Sequence, residues 1–92
     1  MILSFGDKDT EQLFFKENNR RFAAIARIAL RKLIQLNRAV VLKDLAIPPG
    51  NHLEALKGKS HGWYSIRINN QWRIVFQWAN DGKMNVSVVD YH

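Results

Sequence analysis

The hydrophobic pattern after residue 60 has a period of two, and this limits what the chain can fold into. Tyr64, Ile66 and Ile68 alternate with Trp63, Ser65 and Arg67. Trp72, Ile74, Phe76 and Trp78 alternate with Arg73, Val75 and Gln77. Met84, Val86 and Val88 alternate with Asn85, Ser87 and Val89. Each run presents one apolar face and one mixed face, as a half-buried strand does. Asn69-Asn70 and Asn80-Asp81-Gly82 supply turn residues between the runs, so the strands form an antiparallel meander. A slip of one residue would move every side chain to the other face. If the even-numbered residues face the core, Ile68 pairs with Trp72 across a three-residue turn and Trp78 pairs with Met84. That register sets Arg73 between Arg67 and Val89, and Tyr91 opposite Gln71. Arg67, Arg73, Gln71 and Tyr91 then project from one face, and helices cover the other.

The helices come earlier. Asp7 or Asp9 can cap a short helix carrying Leu13, Phe14 and Phe15, because an Asp oxygen satisfies the first free N–H groups. Asn18 and Asn19 interrupt it. From Arg20 to Leu36, Phe22, Ile25, Ala26, Ala29, Leu33 and Leu36 recur at steps of three and four and make one apolar stripe. The spacing predicts one helix over 20–36, with Asn37 as its stop. Arg20, Arg27, Arg31 and Arg38 lie away from the stripe, on a face read as solvated. Met1 to Phe5 is a short apolar run suited to a strand. Pro48, Pro49 and Gly50 enforce a loop.

Ninety-two residues make a single domain, 1–92. The chain has no cysteine and no apolar run of membrane-spanning length, and its start lacks signal-peptide character. It is therefore expected in the cytoplasm and off the membrane. A net charge of +6 favours a polyanionic partner such as nucleic acid.

Two arginines directly opposed on a sheet repel each other unless an anion sits between them. Around that pair the sequence gathers Lys57 and Lys59, Glu54, and the terminal Asp90, Tyr91 and His92. Arginine holds phosphate in a two-pronged grip. Tyrosine can stack on an unpaired base. Imidazole can take or give a proton near neutral pH. Lys57, Lys59, Arg67 and Arg73 are the candidate RNA- and phosphate-binding residues. His92, Tyr91, Asp90, Arg73 and Glu54 are the candidate catalytic ones. His92 is the first candidate for proton transfer, with Glu54 or Asp90 as the second member; Asp90 can instead orient His92. His52, His61 and His92 have no ligand spacing, so no metal and no other cofactor is expected. His52 and His61 are assigned to solvent.

The segment LEALKGKSHGWYSIRINNQWRIVFQW and the terminal VVDYH resemble the HigB toxins of the RelE superfamily, partners in bacterial type II toxin–antitoxin pairs. The resemblance runs from MILSF to DYH. It implies an α+β, RelE-like toxin domain: a short N-terminal strand, then two helices packed on one face of a small, mainly antiparallel sheet that ends in a three-stranded meander. It implies a ribosome-dependent mRNA endonuclease that cuts translated mRNA in the ribosomal A site. It also implies a HigA-type helix-turn-helix antitoxin as cognate partner, with operator DNA reached only through that antitoxin. Some HigB proteins carry His-Pro-Leu-Lys-Gly where this chain has Glu54-Ala55-Leu56-Lys57-Gly58, which leaves either Glu54 as the base or a larger share of the proton transfer for His92. Without a metal, the cut would use the RNA's own 2′-OH as nucleophile. Two other readings stay open: a ribosome- or RNA-binding growth inhibitor that does not cleave, and a ParE-like gyrase poison.

Overall fold

The structure, a computed structural model, describes residues 1–58 and 62–90. Two helices, α1 (Lys8–Lys16) and α2 (Ala26–Arg38), precede four strands: β1 (Glu54–Ala55), β2 (Trp63–Arg67), β3 (Trp72–Ala79) and β4 (Gly82–Asp90). The strands form one antiparallel sheet in the order β1-β2-β3-β4. Residues 1–6 run parallel to β4, through bridges from Ile2 to Lys83 and from Phe5 to Val86. Backbone bonds of 2.7–3.1 Å tie them there: Leu3 N–H to Lys83, Lys83 N–H to Met1, Gly6 N–H to Val86 and Val86 N–H to Ser4. The Thr10 hydroxyl accepts the Val88 N–H at 2.9 Å. The outer edge of β4 is thus covered by the start of the chain and by α1, which removes an open strand edge. Gly6 permits this approach, since a Cβ there would lie 2.2 Å from Ser87 Oγ.

Asp7 caps α1, its side chain accepting from the Thr10 N–H at 2.7 Å. The second helical region does not run unbroken from Arg20. Asn19, buried, accepts from the Arg21 N–H and starts a single 3-10 turn over Arg20–Phe22. The chain then bends, and α2 begins only at Ala26. The apolar stripe survives the break, because Phe22, Ile25, Ala29, Leu33 and Leu36 are all buried in the core. Asn37 does not end the helix. It lies inside α2, and its Oδ1 accepts the Ile2 N–H at 2.8 Å. Leu13 of α1 and the α2 stripe pack on Ile66, Ile74, Phe76, Val86 and Val88 of the sheet. Phe22 meets Trp72 edge-on at 5.5 Å.

The strand register agrees with the alternation argument at the β2–β3 turn end of the sheet: Arg67 pairs with Arg73, Arg73 with Val89 and Ile74 with Val88. Toward the β3–β4 turn it departs. A bulge between Val75 and Gln77 sets Gln77 opposite Met84 and Trp78 opposite Lys83. Asn85 takes a left-handed conformation there, with φ of 54°. One extra residue in β4 reverses the alternation beyond it. Met84 therefore leaves the core side, and Lys83 takes its place, only 2% exposed. The Lys83 ammonium is satisfied by the Ala39 carbonyl and lies 5.1 Å from the centre of the Trp78 ring.

Candidate active site

Odd-numbered residues of β2 and β3 form the sheet face away from the helices. Glu54 of β1 pairs with Ser65 of β2, so Glu54, Ser65, Arg67 and Arg73 share that face. The opposed arginines are drawn apart by their partners. Arg67 donates from Nη2 to Asn70 Oδ1, in the turn that joins β2 to β3. That turn is fixed by Asn69, whose Oδ1 accepts the Gln71 and Trp72 N–H groups, each at 2.8 Å. Arg73 turns the other way. Its Nε donates to Ser65 Oγ at 3.0 Å and its Nη2 to the His52 carbonyl at 2.6 Å, while Glu54 Oε1 stands 3.9 Å off. An open pocket of about 230 Å³ lies between them, lined by His52, Arg67, Asn69, Asn70 and Arg73.

The segment carrying His52 is held by its buried neighbour Asn51. Asn51 Nδ2 donates to the Leu45 carbonyl at 3.0 Å and to Gln35 Oε1 at 3.1 Å, and Asn51 Oδ1 accepts from Lys32 Nζ. Burial, and then the nearby Arg31 charge, lower the Lys32 pKa. Beyond Asn51, His52 takes a left-handed backbone conformation at φ 44°, uncommon for a residue other than glycine although histidine is enriched there. Its carbonyl thereby meets Arg73.

The structure brings Glu54, Arg67 and Arg73 together. Lys57 is exposed in the turn that follows β1. Asp90 pairs with Trp72 and accepts from Gln71 Nε2 at 3.1 Å. Lys59, Tyr91 and His92 lie outside the described residues, as does His61. Among the described residues no group of three or more His, Cys, Asp or Glu could hold a metal ion. Four residues of the site were not singled out from the sequence. Ser65 could have been, since it shares the parity of Arg67. His52, expected in solvent, is exposed and also lines the arginine pocket; its contribution through a backbone carbonyl has no sequence signature. Asn69 and Asn70 were read only as turn residues.

Helices on one face of a meandering sheet, with paired arginines on the other, make this an α+β protein of the RelE-like fold. The fold is shared with the YoeB dimer structure from Staphylococcus aureus at a TM-score of 0.51 and 18% identity, covering 99% of this chain and 94% of that one. Residues 3–92 match the profile of the RelE-like toxin of type II toxin–antitoxin system HigB, and the chain belongs to that family. It is 41% identical over 87 residues to toxin HigB-1 of Vibrio cholerae serotype O1, covering 92% of each chain. It is 29% identical over 98 residues to endoribonuclease HigB of Proteus vulgaris, covering the whole of both.

Proposed function

We propose that this toxin is a metal-independent, ribosome-dependent endoribonuclease that cuts mRNA in the A site and so stops translation and growth. The observation that carries the reading is the placement of Glu54 beside Arg73 on the face where Arg67 and Arg73 oppose each other. Facing arginines suit a bridging phosphate. A carboxylate next to them suits removal of a proton from the neighbouring 2′-OH. The 2′ oxygen then attacks phosphorus, Arg67 and Arg73 stabilise the phosphorane, and the P–O5′ bond breaks. His92 gives the 5′ oxygen its proton, and Glu54 holds the proton taken from the 2′-OH. The products are a 2′,3′-cyclic phosphate and a 5′-hydroxyl. The ion pair of Glu54 with Arg73 favours Glu54 as the base, and Asp90 is the alternative. Lys57 and Lys59 add positive charge along the RNA path, and Tyr91 stacks on a splayed base. A site on so open a face leaves positioning of the mRNA to the ribosome. The cognate partner is a HigA-type antitoxin.

The test maps mRNA 5′ ends in cells after brief induction of the wild type, Glu54→Gln and His92→Ala. New ends at fixed positions within translated codons, reduced about 10²–10⁴-fold in the variants, support the reading. The products should carry cyclic phosphate and form in the presence of a chelator. Growth arrest without new ends would turn the reading toward a non-cleaving inhibitor or a gyrase poison.

A further inference from the structure

We propose that the groove between α2 and the segment 40–47 seats an acidic, amphipathic segment of the cognate antitoxin. The identity of the occupant rests on the toxin–antitoxin reading above; the surface rests on the structure. The groove has a volume of about 410 Å³ and is lined by Arg31, Ile34, Gln35, Arg38, Ala39 and Asp44. One wall is α2. The other is the segment 40–47, tied back by Gln35, whose Nε2 donates to the Ile47 carbonyl at 2.6 Å. Apolar side chains stand open around it. Five of the eight large hydrophobic residues exposed among the described residues are Ile28, Ile34, Val40, Val41 and Ile47, with Val40 83% and Ile47 71% exposed. Ile28 and Ile34 lie outside the α2 stripe that packs on the sheet, so the core does not account for them. Clustered apolar exposure marks an interaction surface, whereas scattered residues do not.

The charge of this surface is one-sided. Between Glu17 and Glu54 stand seven Lys and Arg residues and one acid, Asp44, so this stretch carries the whole net +6 of the chain. Asp44 Oδ2 is turned to its own loop, accepting the Val40 and Val41 N–H groups. Among the described residues, neither Arg31 nor Arg38 is in a salt bridge. That combination selects the partner. A second copy of the chain would set like charges against each other across the contact. Single-stranded RNA binds by stacking on aromatic side chains as well as by charge, and the exposed apolar residues here are all aliphatic. A wholly apolar partner would bury Arg31 and Arg38 unpaired. A helix with apolar residues at steps of three and four, flanked by Asp and Glu, meets both the aliphatic floor and the arginine rim.

The test uses the full chain and its HigA-type antitoxin. Hydrogen exchange of the toxin alone and in the complex should show new protection over α2 and the segment 40–47. Ile34→Glu and Val41→Glu, at exposed positions, should keep the wild-type melting temperature and weaken the complex about 30-fold or more. Phe15→Glu, on an apolar side chain exposed elsewhere, should bind as the wild type does. The double variant Arg31→Glu/Arg38→Glu should weaken the complex most at low salt. In single-turnover cleavage of mRNA on programmed ribosomes, Ile34→Glu should match the wild type without antitoxin and resist its addition. The exchange map needs no variant and decides the matter where a substitution disturbs the fold. New protection confined to β2 and β3, or undiminished affinity in Ile34→Glu and Val41→Glu, overturns the proposal. So does a wild type that forms no complex, and so does one that self-associates through a dimer broken by Ile34→Glu, which makes a second copy the occupant. If the complex maps to the groove but the wild type cuts no mRNA, the surface stands and the nuclease reading is the one that fails.

Discussion

At the residue scale, the two facing arginines are not equivalent. Arg73 is enclosed and aimed by two fixed acceptors, whereas Arg67 is tied to the side-chain amide of an exposed turn residue. A lysine cannot reproduce the planar fork but does keep a point charge. Arg73→Lys should therefore cost about as much as removing a transition-state donor, roughly 10²–10³-fold in single-turnover rate. Arg67→Lys should cost several-fold less, and equal losses in the same ribosome assay would deny the asymmetry. That Arg67 faces Arg73 was legible from alternation alone. That Arg73 leans on Ser65 and on a backbone carbonyl was only half legible: parity points to Ser65, but nothing in a sequence marks a carbonyl turned by a left-handed histidine.

At the element scale, the loop between α2 and β1 is where stability and the site meet. Asn51 is fully buried and serves Leu45, Gln35 and Lys32 at once. Asn51→Ala strands those groups and should lower stability by about 1–3 kcal/mol in denaturant titration. It should also reduce cleavage by releasing His52 from its place against Arg73. Just before it, Asp44 accepts the Val40 and Val41 N–H groups at 2.9 and 3.1 Å. Those bonds, Val40 first, hold its carboxyl below the usual carboxylate range. A depressed native value means the stabilisation is fully present at neutral pH and is lost as pH falls through that value. Asp44→Asn should therefore melt below the wild type at pH 7, and the gap should narrow in acid; a gap independent of pH would contradict the assignment. The meander was readable from its period of two and its Asn-rich turns. The bulge at Asn85 was not, because one inserted residue leaves the composition unchanged while exchanging Met84 for Lys83 on the core side. The break before Ala26 was hidden in the same way: the apolar stripe continues across it, so spacing alone reads as one helix.

At the scale of the whole molecule, the chain carries a net charge of +6, and arginines lie on two separate surfaces. Arg67 and Arg73 lie on the sheet face. Arg27, Arg31 and Arg38 are exposed on α2, which packs on the other face, in a molecule whose shortest extent is 24 Å. At physiological ionic strength fields between exposed charges fade over about 8 Å, so the α2 arginines do not act electrostatically on Arg73. On the proposed function they add to the field that draws the protein to the ribosome, an effect that is large at low salt and small at high salt. The triple variant R27Q/R31Q/R38Q should accordingly lower kcat/KM on programmed ribosomes at low salt and converge on the wild type as salt rises. Its single-turnover rate from the preformed complex should match the wild type throughout. Arg73→Lys should behave in the opposite way, with a deficit that persists at every salt concentration. If the triple variant keeps its deficit at high salt, the α2 face makes a direct contact with the ribosome, and the division between a steering surface and a reacting one fails.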